Sequence, residues 1–235
     1  MDISTLARLP DSGPIELLFL LFHGAGRSAS SMTELAQRLA AEYPQSAVLC
    51  VEAPLSTTQT QTQTPDQRSW FAQEDLEAAS QALPSFIATV RELQGRFGVG
   101  WECCALFGFA QGATMALQAV QAEQRLAGRV LAFAGRHHSA PMHAPEDTTH
   151  HFFHGLQDAV VPHRTAVDSA QRLIALGGDV TADVLPGVGH ELHSTLIDKA
   201  IEQLRTFLPK KVWREASAEA PLISRVASSH ELGAD

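Results

Sequence analysis

The chain has 235 residues, 45% apolar and 18% charged, which excludes a disordered or collagen-like polypeptide and is enough for a sizeable core without covalent staples. Its 17 basic and 26 acidic residues give a formal net charge of −9, and no Lys/Arg cluster exceeds Lys210-Lys211, so a nucleic-acid-binding face is not expected. Cys50, Cys103 and Cys104 leave one thiol over and place two side by side, which is no disulfide framework and fits a reducing, cytoplasmic setting.

The segment Met1-Asp2-Ile3-Ser4 has no positive region, so a secretory signal is not expected. Ile15–Phe22 is the longest apolar run; it reads as a buried strand and falls far short of the roughly 20 residues that span a bilayer. Ser31-Met32-Thr33-Glu34 has the pattern of a capping box, and Met32, Leu35, Leu39 and Tyr43 recur at helical spacing behind it. Ser46–Val51 is the next strand, ended by Pro54. The Thr/Gln alternation of Thr57–Thr64 has no apolar face to bury and reads as a polar loop.

Gln73–Phe97 is helical in composition, with a break or restart expected at Pro84. Trp101–Phe109 reads as a buried strand, with Cys103 and Cys104 as small apolar residues inside it, and Gln111–Gln124 as a helix. Strands are expected at Val130–Ala134, Thr149–Phe153 and Asp179–Val184, and helices at Thr165–Leu176 and Ser194–Phe207, the first of these closed by Gly177-Gly178. Strands alternating with helices imply an α/β fold with a mostly parallel central sheet covered on both faces. Residues 1–208 read as one domain. Residues 209–235, rich in Ala, Ser and Glu, read as a tail with a short helix near Val212-Trp213 docking on it.

The segment Gly108-Phe109-Ala110-Gln111-Gly112 stands between a strand and a helix. It is the Gly-x-Ser-x-Gly nucleophile elbow with Ala in place of Ser. The flanking glycines answer a steric need, because a strand that turns sharply into a helix brings neighbouring backbones too close for side chains. Asp158 follows the next-to-last strand and His190 the last. The order Ala110, Asp158, His190 is that of nucleophile, acid and base in such hydrolases, and all three lie past the same edge of the sheet.

On these motifs the chain resembles an α/β-hydrolase of the phospholipase/carboxylesterase family, which includes bacterial carboxylesterases and acyl-protein thioesterases. The resemblance covers residues 15–208. It rests on Leu21–Gly26, Glu52-Ala53-Pro54, Arg68–Phe71, Gly108–Ala113, His154–Pro162 and Gly187–His190. It departs at Ala110, where the family has its serine.

The resemblance implies roles. His190 would be the general base, and Asp158 would fix its tautomer and stabilise its cation. Backbone N–H groups of Ala25 and Gln111 would form the oxyanion hole, helped by the helix dipole at Gln111. His23 and Gly24 would border the substrate pocket or shape its loop. Trp70 and Phe71 would line the pocket or cap the core. The implied substrates are small or medium carboxylic esters or thioesters, with no cofactor, and the expected state is a monomer or homodimer.

A methyl group at position 110 forms no acyl-enzyme. The retained glycines, Asp158 and His190 favour a deliberate Ser→Ala replacement over the alternative, a naturally inactive relative that binds an ester or acyl ligand without turnover. His137, His138, His143, His150, His151 and His154 raise a metal reading, but they lack ligand spacing, and His150 and His151 point to opposite faces of a strand. They read as a solvated, loop-borne cluster with no metal.

Overall fold

Apolar runs such as Leu17–Phe22 and Ser46–Val51 can be buried only if both faces of their sheet are covered, and helical crossovers between parallel strands do this. The computed structural model describes residues 5–56, 67–72, 76–210 and 212. In chain order the elements are β1 (Thr5–Arg8), β2 (Leu17–Phe22), α1 (Thr33–Glu42), β3 (Ser46–Val51), β4 (Leu55–Ser56), β5 (Arg68–Ser69) and α2 (Leu76–Phe97). They continue as β6 (Cys104–Phe109), α3 (Gln111–Ala122), β7 (Arg129–Phe133), β8 (Thr149–Gly155), α4 (His163–Ala175), β9 (Asp179–Leu185) and α5 (Ser194–Thr206).

The main sheet has the order β1-β3-β2-β6-β7-β8-β9. Strand β1 runs antiparallel to β3, and every other pairing is parallel. The chain steps outward from β2 to β3 and then returns to the other side of β2 with β6. The strand order therefore reverses between β2 and β6, which opens a crevice at their C-terminal ends. Phe22 is level with Val51 on one side and Gly108 on the other, so the loops leaving these strands emerge together.

Alternate residues of each strand feed two cores. Leu18, Leu20 and Phe22 pack with α2, α3 and α4, while Phe19 and Leu21 pack with α1 and α5. Each such aliphatic side chain contributes about 1.5–3 kcal/mol on full burial. Among the described residues no helix is long and apolar enough to cross a membrane, and no group of three or more His, Cys, Asp or Glu is placed to hold a metal ion.

Several local expectations need correction. Helix α2 runs through Pro84 without a break, because that residue faces solvent while Phe86, Val90 and Leu93 bury the inner face. The capping box is absent: Ser31 bonds back to the Ser28 carbonyl within a 3₁₀ turn, and α1 starts at Thr33. Trp101–Cys103 form another 3₁₀ turn before β6, which leaves Cys103 exposed, while burial pushes the Cys104 thiol up to about 12. The Thr57–Thr64 loop lies outside the described residues, as does the tail beyond Val212.

The solvated, loop-borne reading of the histidines holds only in part: His137, His138 and His143 lie between β7 and β8, with His138 and His143 half-buried, but the others belong to a covered strand. Strand β8 is flanked by β7 and β9 and covered on both faces, so His150, His151 and His154 are almost fully buried, and His137 is buried beside Phe152. Burial pushes His137 down to about 3, His150 to about 4 and His151 to about 3. His151 adds a hydrogen bond to the Thr181 hydroxyl at 2.8 Å and lies near the cation of Arg129.

These imidazoles stay neutral in the folded protein, whereas in the unfolded chain they take up protons near pH 6.5. The unfolded state thus binds more protons as pH falls, and stability declines from about pH 6.5 downward until the folded values are reached. Replacing His150 with Leu should flatten this decline by about 1.4 kcal/mol per pH unit, the value for one proton. Urea melts between pH 7 and pH 5 test this; an unchanged slope in His150→Leu would refute it.

Candidate active site

At the crevice, β6 ends at Phe109 and α3 begins at Gln111, leaving Ala110 alone to turn the chain. Its φ of 49° and ψ of −109° are costly for a residue with a Cβ. The conformation is held by the Ala110 N–H donating to the Phe133 carbonyl at 2.9 Å and by Thr114 N–H donating to the Ala110 carbonyl at 3.0 Å. A Cβ on Gly108 would overlap the backbone of Ala113, and one on Gly112 the carbonyl of Phe22. Both positions require glycine because of close approach, not because of φ.

The loop after β2 lies against this turn. A Cβ on Gly24 would stand 2.9 Å from the Phe109 ring and 3.5 Å from the Ala110 methyl. Among the described residues, neither the Ala25 nor the Gln111 N–H enters the hydrogen bonds of the surrounding turns and loops. Both residues border one cavity, and the Gln111 N–H is the first of a helix.

His23 and Trp70 do not line the cavity; both are buried behind it. The His23 Nδ1 lies 2.8 Å from the Gly24 carbonyl, its Nε2 accepts from the Ala53 N–H at 3.1 Å, and the Glu52 carboxylate stands 2.9 Å away. Burial is the main influence on His23 and holds its pKa below the usual imidazole range. Trp70 Nε1–H donates to the His23 carbonyl at 2.8 Å. These groups shape the loop from inside, whereas Gly24 and Phe71 face the cavity.

Sequence reasoning assigned Gln111 only its backbone N–H. Its side chain also matters: Oε1 accepts from the Trp70 N–H at 2.7 Å, and Nε2 donates to the Phe71 carbonyl at 3.0 Å. One amide thus fixes the Phe71 wall against the turn. A Gln at this position was the available signal, but its partners are about 40 residues away in sequence and no local pattern marks them.

Asp158 and His190 meet across two loops. His190 Nδ1 lies 2.8 Å from Asp158 Oδ2, while Asp158 Oδ1 accepts from the Val160 and Val161 N–H groups at 2.9 and 2.8 Å. Burial opposes ionisation of this carboxyl, but the His190 and backbone hydrogen bonds outweigh it and hold its pKa below the usual carboxylate value. The loops are stitched by Gln157 N–H to the Val188 carbonyl and Gly187 N–H to the Gln157 side chain. A Cβ on Gly155 would overlap the Val188 carbonyl, so glycine is required there as well.

Ala110, Gln111, Ala25, Phe71 and His190 line one cavity of about 280 Å³. Arg27, Arg136 and His138 line it too, and no described lining residue is a carboxylate. An imidazole held at Nδ1 by a carboxylate keeps Nε2 available to accept a proton. Together with two backbone donors, this arrangement suits the chemistry of carbonyl addition.

A family model described as phospholipase/carboxylesterase matches residues 10–208. The chain is 38% identical over 213 residues to "Esterase YpfH" of Escherichia coli (strain K12), covering 88% of this chain and 89% of that protein. Among solved structures, esterase PE8 superposes with a TM-score of 0.79 at 26% identity, over 88% of this chain and 100% of that one. The acyl-protein thioesterase 2 of Zea mays shares the fold, with a TM-score of 0.67 at 18% identity, over 86% and 97% of the two chains. The chain belongs to the phospholipase/carboxylesterase family of α/β-hydrolases, a family of esterase- and thioesterase-type enzymes.

The steric reading of the turn gives a stability test. Gly112→Ala should lower stability by about 1–3 kcal/mol or more, since backbone must move. Gly95→Ala, on the exposed face of α2 with nothing within 4 Å, should raise it by about 0.5–1 kcal/mol. Chemical denaturation of both proteins tests the contrast, and equal stabilities would refute it.

Proposed function

We propose that the cavity is the acyl-transfer site of a serine-type carboxylesterase whose nucleophile position carries Ala110. The observation that carries this reading is the 2.8 Å contact between His190 and Asp158 on a loop pair bordering the same cavity as Ala110.

With a hydroxyl at position 110, His190 Nε2 takes its proton as the oxygen adds to the ester carbonyl carbon. The carbonyl oxygen becomes an oxyanion and meets the Ala25 and Gln111 N–H groups. The carbon–oxygen bond to the alcohol then breaks, and the leaving oxygen takes the proton from His190. A water molecule repeats the sequence on the acyl-enzyme and releases the acid. Asp158 stays ionised throughout and keeps the imidazole in the tautomer that exposes Nε2. No step calls for a metal or cofactor. A thioester passes through the same tetrahedral geometry, and a cavity of about 280 Å³ suits small or medium acyl groups.

Ala110 itself favours a second reading, that the chain binds an ester or acyl ligand without turnover. As it stands, catalysis is limited to what binding and the backbone donors supply, about 10³–10⁴-fold over water. Both readings meet in one experiment. Ala110→Ser should raise aryl-ester hydrolysis by at least about 100-fold, and adding His190→Ala should remove the gain. A folded Ala110→Ser protein with no gain would refute the catalytic reading and leave the binding one.

A further inference from the structure

The carboxylate of Asp158 is flanked by two imidazoles, not one. His154, near the end of β8, places Nε2 2.8 Å from the Val161 carbonyl and 3.2 Å from Asp158 Oδ2, the same oxygen that His190 meets at 2.8 Å. Both atoms facing His154 Nε2 are acceptors, so Nε2 must carry the proton. The other nitrogen, Nδ1, is buried and has no partner among the described residues. A proton added there would be a buried charge without a counterpart, which is strongly unfavourable.

The contacts close a ring. Asp158 Oδ1 accepts from the Val161 N–H, the Val161 carbonyl accepts from His154 Nε2–H, and that same N–H stands beside Asp158 Oδ2. His154 therefore ties the loop that bears the carboxylate to β8 and sets its N–H against Oδ2 from the interior side. We propose that His154 is a positioning residue for the Asp158–His190 pair, a permanently neutral donor that fixes the carboxylate and limits how strongly it holds the His190 proton.

The two imidazoles divide the work by exposure. His190 has a side chain 20% exposed and lines the cavity, whereas His154 is 1% exposed. The titratable groups facing His154 are Asp158, His190 and His163 at the start of α4. Burial, the largest influence, lowers the His154 pKa against the opposing Val161 hydrogen bond and the Asp158 charge, while His190 and His163 act in the same direction as burial.

This inference rests on the esterase reading for its kinetic arm alone. In the Ala110→Ser background, His154→Leu should lower kcat about 10-fold and move the acid limb of the pH profile up by about half a unit, because a carboxylate that has lost the neighbouring N–H binds the His190 cation more tightly. His154→Gln, which keeps an N–H donor, should restore most of both. A folded His154→Leu protein with unchanged kcat and pH limb would overturn the proposal. The second arm uses the Ala110 chain and needs no activity: ¹⁵N NMR of the histidine rings should show His154 neutral and protonated at Nε2 from pH 5 to pH 8. Protonation at Nδ1, or titration within that range, would overturn the proposal whatever the fate of the esterase reading.

Discussion

The site depends on one close approach of backbones. Helix α3 can begin directly above β2 and β6 only because Gly108 and Gly112 have no Cβ to collide with Ala113 and Phe22. This contact forces Ala110 into its positive-φ turn, lifts its methyl over the sheet edge, and brings the first N–H of α3 beside the loop after β2. Strain at one residue is tolerated because the surrounding sheet and helix over-determine it. The crevice at the strand reversal thereby gains a fixed point at which a reacting atom can be presented.

Much of this was legible in the letters. The strand–helix alternation and the three glycine-bearing motifs placed Ala110, Asp158 and His190 on one sheet edge, because each motif solves a steric problem that leaves a local mark. Interactions between distant segments leave no such mark. The Gln111 amide on the Trp70–Phe71 backbone is one; the seat of His23 behind its loop is another. Exposure also misled where periodicity was silent. Pro84 suggested a break but lies on a face that can lose a hydrogen bond to water, and the paired histidines of β8, though expected in a strand, were grouped with loop histidines as solvated. In a central strand, neighbouring strands and helices decide burial, whatever the residue's own polarity.

The buried histidines show how one residue type serves different ends within one strand. His151 reaches a hydroxyl partner and stacks on Phe153, so it behaves as a satisfied core aromatic. His154, three residues on, reaches the carboxylate loop and becomes part of the site's wiring. Neither is readily protonated, for the same reason: desolvation disfavours the cation. In the proposed mechanism the proton acceptor is instead His190, on the loop after β9 and bordering the cavity.

The antiparallel pairing of β1 with β3 carries a consequence for the molecule in a crowded setting. Strand β3 is apolar and buried along its whole length, and without β1 its outer hydrogen-bonding groups would form a bare sheet margin. The four residues of β1 cover that margin, and their own outer rim carries the charge of Arg8. At the opposite margin, β9 presents Asp179 and Asp183. A sheet whose two rims are short or charged gives other chains little template for strand addition, so the same short segment that lay unmarked in the sequence acts as a guard against fibrous self-assembly.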